Sequence, residues 1–221
     1  YRSFVKGTVY ETNAKTAEMS KLAENSFRDL NIAFANELSM ICDLESINVW
    51  DVIKLTNRHP RVNILEPGVG VGGHCIAVDP WFIINSHHDC SNLMRTSRNV
   101  NNYKTEWVIN KIKDQVNKIK YIKDRKVKIA CLGLTYKPNV NDLRESPALT
   151  IVETLDKIGF ETLLVEPNIK YFKDKILLNV NKALKQADIV CILVKHQEFL
   201  KPEALKLLSK SITLDFCGAL N

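Results

Sequence analysis

Four short apolar runs in the second half of the chain restrict its fold more than any other feature. They occupy residues 126–134, 162–165, 188–194 and 212–215 and are rich in Val, Ile and Leu. Continuous apolar runs of this length suit strands covered on both faces, as in parallel sheets flanked by helices. Helical segments are predicted between them. One is capped by Ser146, has Pro147 in its first turn and ends near Gly159; others cover residues 180–187 and 202–208. Strands alternating with helices predict an α/β fold with a parallel sheet. Such sheets bind ligands beyond the carboxyl ends of their strands. The first of these ends, residues 134–146, lacks G-x-G-x-x-G, so no dinucleotide is assigned to that turn. It does place Lys137 and Arg144 near a helix N-terminus, where a phosphate is favoured.

The first 120 residues read as helices. Asn13 can cap a helix running to about Asp43, with Met19, Leu22, Phe27, Leu30, Phe34, Leu38 and Ile41 recurring at near-helical period. This apolar surface is broad enough for more than one neighbour, as in a central or dimer-forming helix. Lys21 and Asn25 share one face of it. Two readings fit them: polar groups that need partners or a ligand, or the wet edge of the helix. Asn48 caps a second helix to about Asn57, Asp79-Pro80 opens a third, and residues 93–120 form a fourth, packed through Trp107, Val108, Ile112, Val116 and Ile119. Weak alternation over residues 1–11 predicts the last strand of something upstream. His87, His88 and Cys90 crowd a helix end and read as a surface turn, so no metal is expected.

Between the second and third helices lies a stretch unlike the rest. Gly68, Gly70, Gly72 and Gly73 make up half of the chain's eight glycines; Cys75 follows directly, and Asp79 comes four residues after it. Glycine at this density lets backbone approach another group closely. A thiol there, with a carboxylate one helical turn on, suits a nucleophile and its helper. The alternative is a tight turn followed by a small apolar residue.

Composition narrows the class. With 45% hydrophobic and 25% charged residues, the chain of 221 is of the soluble globular type, without a run long enough to span a membrane. The beginning has neither an initiator Met nor a signal-peptide pattern and reads as the interior of a longer protein. Six cysteines without a CxxC pair suggest reduced thiols in the cytoplasm. The net charge of +6 is concentrated in residues 104–128, where nine Lys/Arg face three acids. Sparse aromatic interleaving there favours a solvated helix face over a nucleic-acid site.

Four motifs occur in order: Lys21 and Asn25 within residues 16–25, Arg58-His59-Pro60-Arg61, Gly70-Val71-Gly72-Gly73-His74-Cys75-Ile76-Ala77-Val78-Asp79, and Gly133-Leu134-Thr135-Tyr136-Lys137-Pro138 continuing to Asp142-Leu143-Arg144-Glu145-Ser146-Pro147. Together they resemble the nucleotide-sugar 6-dehydrogenases of the UDP-glucose/GDP-mannose dehydrogenase family. The resemblance implies three parts: a remnant of an N-terminal NAD-binding domain (residues 1–12), a central helical dimerisation domain with the cysteine loop (13–121), and a C-terminal Rossmann-like UDP-binding domain (122–221).

The resemblance further implies NAD-dependent, two-step oxidation of a sugar C6 hydroxyl to a carboxylate, for surface polysaccharide synthesis. Cys75 would form the thiohemiacetal and thioester, Asp79 would act as base through a water, and Lys21 and Asn25 would stabilise oxyanions. Arg61 would reach the sugar of a neighbouring subunit, with His59 nearby. Gly70, Gly72 and Gly73 would lie against the sugar, Lys137 against the nucleotide, and Arg144 between substrate and cofactor; for Arg61 and Arg144 a purely structural salt bridge is the other reading. His74 and Val78 stand where the UDP-glucose branch usually has serine and lysine. Both favour an N-acetylated sugar: UDP-N-acetyl-D-mannosamine first, with UDP-N-acetylglucosamine as the alternative. As this chain alone, a non-catalytic dimerisation and UDP-sugar-binding module is the third reading.

Overall fold

Helix α1 begins where Asn13 accepts a hydrogen bond from the Thr16 N–H, and it runs over Ala14–Leu44. A computed structural model describes residues 3–120, 125–173 and 175–221. Asn48 caps α2 (Val49–Thr56) through the Trp50 N–H, and Pro80 sits in the first turn of α3 (Asp79–Ser86). Helix α4 covers Asn92–Lys120. The expected caps therefore start the expected helices. Residues 3–13, by contrast, are exposed and carry no strand, although alternation predicts one. With both faces exposed, alternation alone does not hold that stretch extended.

The packing of α1 reverses its expected polarity. Its buried residues are Asn25, Ser26, Asp29, Ala33, Ala35, Asn36 and Cys42, while Phe27, Phe34 and Ile41 are exposed. The polar side can turn inward because α4 supplies partners: Arg98 and Asn101 meet Asp29, and Asn101 meets Asn36. The apolar side is left open.

The second half forms a four-stranded parallel sheet: β1 (Lys128–Leu132), β2 (Glu161–Val165), β3 (Ile189–Ile192) and β4 (Ile212–Asp215), in the order β2-β1-β3-β4. Ile129 and Cys131 face α4 and α5 (Pro147–Lys157), and Ala130 and Leu132 face α6 (Val180–Gln186) and α7 (Pro202–Leu208). Burial of both faces accounts for the unbroken apolar runs. Helix α4 joins the halves. Its first part packs on α1, and Val108, Ile112, Val116 and Ile119 enter the core of the sheet. The expected boundary at residues 121–122 lies outside the described residues. Among the described residues, no helix is long and apolar enough to cross a membrane.

The chain leaves β1 to one side for β2 and returns to the other side for β3, so the topological switch point lies beyond Leu132 and Ile192, which are paired in register. This is where open α/β sheets present a crevice.

Candidate active site

Three separate stretches of chain meet at a cavity of ≈ 230 Å³. Helix α1 lends Lys21, Asn25 and Arg28, which share a face because their spacing is helical. The glycine loop lends Gly72, Gly73 and Cys75, and the loop after β1 lends Tyr136 and Lys137. Three cations and no carboxylate line this space, an environment suited to an anionic ligand or a developing oxyanion. Lys21 also pairs with Glu24 on the solvent side, at 3.2 Å.

A tight turn positions the carboxylate. The Cys75 carbonyl accepts hydrogen bonds from the Val78 and Asp79 N–H groups, at 3.0 and 2.8 Å, and α3 starts there. The Asp79 Oδ2 then accepts a 2.5 Å hydrogen bond from Asn25 Nδ2. Asn25 is buried on α1, so its amide is an internal partner for Asp79 rather than part of a wet edge.

The glycines serve close approach of chain to chain. A Cβ on Gly72 would strike the Glu145 carbonyl oxygen and come within 2.8 Å of Pro147. Gly73, at φ +87°, lies under the Tyr136 ring, which a Cβ would meet at 2.8 Å. Gly70 is away from the cavity, against Thr105 and Pro147. The loop is also bonded from below: Asn36 accepts from the Gly68 N–H at 2.9 Å, and Thr105 donates to the Val69 carbonyl at 2.8 Å. Asn36 belongs to the buried set in which Arg98 Nη1 donates to Asp29 Oδ1 at 2.6 Å and Asn101 Nδ2 donates to the same oxygen at 2.8 Å. Burial raises the Asp29 carboxyl above its ordinary range despite Arg98, and its Oδ2 has no hydrogen-bond partner.

The remaining residues singled out in the sequence lie elsewhere. Arg61 lines a different cavity of ≈ 590 Å³ with Phe27 and Phe34 on the open side of α1. Arg28 borders both cavities. His59 is exposed, and its Nδ1 accepts from the Arg61 N–H at 3.3 Å. Arg144 is exposed and forked onto Asp142, at 3.0 Å from Nε and 2.7 Å from Nη2. Hydrogen bonds from Arg144 hold the Asp142 carboxyl down to about 2. The Arg144 carbonyl accepts the Gly73 N–H at 3.1 Å. Lys104 departs from the expected solvated face: it is buried against Ser39 and Trp107, and desolvation lowers its amine to about 7.

Cys75 is the half-buried thiol that lines this cavity. Burial pushes Cys131 up to about 12 and raises Cys191 and Cys217 strongly, which leaves them inert at neutral pH. Cys42 is buried, and Cys90 lies exposed on the short turn His88–Cys90. Arg28 and Tyr136 were not singled out in the sequence. Arg28 was readable, seven residues after Lys21 on the same face. Tyr136 was not, because its role depends on the loop opposite.

A helical layer carrying a cysteine loop is set against a parallel sheet, and comparison with known proteins gives this arrangement a family. The UDP-glucose/GDP-mannose dehydrogenase family matches by its central domain over residues 15–103 and by its UDP-binding domain over residues 130–221. The chain belongs to this family. A UDP-N-acetyl-D-mannosamine dehydrogenase of Campylobacter jejuni is 52% identical over 217 residues, 95% of this chain and 52% of that protein. An NDP-N-acetyl-D-galactosaminuronic acid dehydrogenase of Ralstonia nicotianae is 51% identical, over 96% and 50%. Among solved structures, a UDP-D-ManNAc dehydrogenase of Pyrococcus horikoshii superposes with a TM-score of 0.86 at 35% identity, over 100% of this chain and 52% of that one. The chain thus spans about half the length of the relatives it matches.

Proposed function

We propose that the protein containing this chain oxidises the C6 hydroxyl of UDP-N-acetyl-D-mannosamine to the carboxylate, with NAD as hydride acceptor. The observation that carries the reading is the single cavity in which Lys21, Asn25, Cys75 and Lys137 meet, with Asp79 bonded to Asn25 at its edge. Names of relatives favour an N-acetylated hexosamine. UDP-N-acetylglucosamine remains the competing substrate, since the C2 epimers differ only in the direction of one acetamido group.

The work of this chain follows from its residues. Asp79, oriented by the Asn25 amide, holds the water or proton exchanged with the C6 oxygen. Lys21 and the Asn25 amide stabilise negative charge on that oxygen. At the aldehyde level the Cys75 thiolate adds to C6, and the thioester formed after the second oxidation is hydrolysed by water activated at Asp79. Two hydrides leave C6, and water supplies the second carboxylate oxygen. Lys137 binds the nucleotide end. Gly72 and Gly73 wall the sugar, and Gly70 supports them from behind.

The turn after β1 is occupied by the chain's own carboxylate. At the end of β1 the Leu134 and Thr135 N–H groups donate to Glu166 Oε2, at 2.8 and 3.2 Å. The chain spans about half the length of its relatives, and NAD is assigned to the part outside it, with residues 1–12 as the end of that domain and Arg144 at the cleft between cofactor and substrate. A second copy of the chain would cover Phe27, Phe34 and Ile41, which recur every seven residues on the open side of α1. It would also bring Arg61 and His59 to the partner's sugar.

The test is turnover by the whole protein. Two NADH per uronate are expected from UDP-N-acetyl-D-mannosamine, with a loss of at least about 10³-fold in Cys75→Ala. Unchanged turnover in that variant would remove the central claim. Equal or reversed preference for the glucosamine epimer would overturn the choice of sugar. NADH formed by the 221-residue chain alone would refute the placement of NAD outside it.

A further inference from the structure

The switch-point crevice of the sheet is filled by the chain's own side chains. Glu166 follows β2 and His196 follows β3; both are buried, with His196 Nε2 and Glu166 Oε2 3.0 Å apart. Glu166 Oε2 also accepts the Leu134 and Thr135 N–H groups, and its Oε1 accepts the Asn168 N–H at 2.9 Å. This carboxylate occupies the place a bound anion would take at the end of a β-strand. Burial by itself would raise the Glu166 carboxyl. The bonds from His196, Leu134 and Asn168 outweigh it and hold the group below its ordinary range.

The other ring nitrogen is committed as well. His196 Nδ1 accepts the Asn139 N–H at 3.0 Å, so the proton of the neutral ring belongs on Nε2, facing Glu166. Between these anchors lie Thr135, Tyr136, Lys137 and Pro138. Thr135 Oγ1 donates to the Lys137 carbonyl at 3.0 Å, and Asn139 takes a left-handed φ of 59° with its side chain accepting the Gln197 N–H at 3.1 Å. One loop is thus pinned at both ends, and its middle carries the two residues that line the Cys75 cavity.

We infer that Glu166 and His196 are positioning residues: they close the sheet's own anion site and hold the 135–139 loop so that Lys137 meets the diphosphate of a nucleotide sugar. The inference rests on the proposed role of Lys137. It assigns to the buried pair an effect on nucleotide binding that passes through the loop, although neither residue lines the cavity.

The experiment uses the whole protein, with UDP as the probe and amide hydrogen exchange as a second readout. Glu166→Gln keeps the shape but sets an NH2 against donors on one side. Asn168→Ala is the gentler variant: its side chain donates to both Glu166 and His196 from an exposed position. In each, the Leu134, Thr135 and Asn139 amides are expected to exchange about tenfold faster or more, with Val190 in β3 unchanged. UDP should bind about tenfold more weakly in Glu166→Gln, and adding this change to Lys137→Ala should cost nothing further.

Unchanged exchange at the three amides in both variants overturns the pin, even if Lys137→Ala weakens UDP binding, in which case the nucleotide reading stands alone. Faster exchange with no effect of Lys137→Ala on UDP leaves the pin standing and removes the assigned role of Lys137. Additive losses of affinity in the double variant overturn the route through Lys137.

Discussion

Two buried acid–base pairs support the candidate site through different loops, and they are built differently. Asp29–Arg98 cross-links α1 to α4 beneath the glycine loop, while Glu166–His196 lies within the sheet layer beneath the Lys137 loop. Glu166 has donors on both oxygens, so its ionised form is favoured despite burial. Asp29 has its donors on Oδ1, with Oδ2 unpartnered, and desolvation wins. Burial alone therefore does not decide the state of a carboxylate; the hydrogen bonds and charges that reach it count as well. The Glu166 pair orders a loop made of its own sheet's connections. The Asp29 pair decides how two long helices meet, and with them the place of Asn25 opposite Asp79.

The largest expected difference between the two supports is in stability. Arg98→Met leaves Asp29 buried without its cation and should cost about 3–5 kcal/mol in urea unfolding. Adding Asp29→Asn should recover part of that, and no recovery would deny that an uncompensated charge is the cause. Within the glycine loop, Gly72→Ala must displace the Glu145 carbonyl and should cost about 1–3 kcal/mol, with a matching fall in turnover. Gly68→Ala meets nothing within 4 Å and should be neutral or slightly stabilising, by up to about 1 kcal/mol. Equal effects at the two glycines would show that the loop does not rest on the 136–147 segment.

Acid titration separates the pairs by sign. The Glu166 carboxyl lies below its unfolded value, so its contribution is present above that value and is lost as pH falls through the folded one. Asp29 is raised, so its contribution is complete below the unfolded value and is lost as pH rises through the folded one. Urea midpoints from about pH 3 to 7 should show Glu166→Gln losing ground to the parent as pH rises, and Asp29→Asn gaining. Slopes of the same sign would sink the contrast. The smallest effect belongs to Cys90→Ser, on the exposed turn, which should change stability by less than about 0.5 kcal/mol and leave turnover alone.

Much was legible locally. Asn13, Asn48 and Ser146 cap the helices they precede, because a cap needs only a side chain and the next turn of backbone. The four apolar runs became the four strands of one parallel sheet, because burial on both faces leaves no place for alternation. Lys21, Asn25, Cys75 and Lys137, chosen for their residue types and motifs, do share one cavity.

What the sequence by itself determined was therefore the kind of each element and the chemical character of the cysteine loop, since periodicity, caps and glycine density act over a few residues. Only the tertiary structure decided which side of α1 is buried, that Gly72 and Gly73 yield to Glu145 and Tyr136, and that the switch-point crevice holds Glu166 and His196. Asp29 and Arg98 are 69 residues apart, and Glu166 and His196 are 30. No local pattern marks such partners, because a polar residue on a helix or after a strand looks the same in sequence whether it meets water or a buried counterpart.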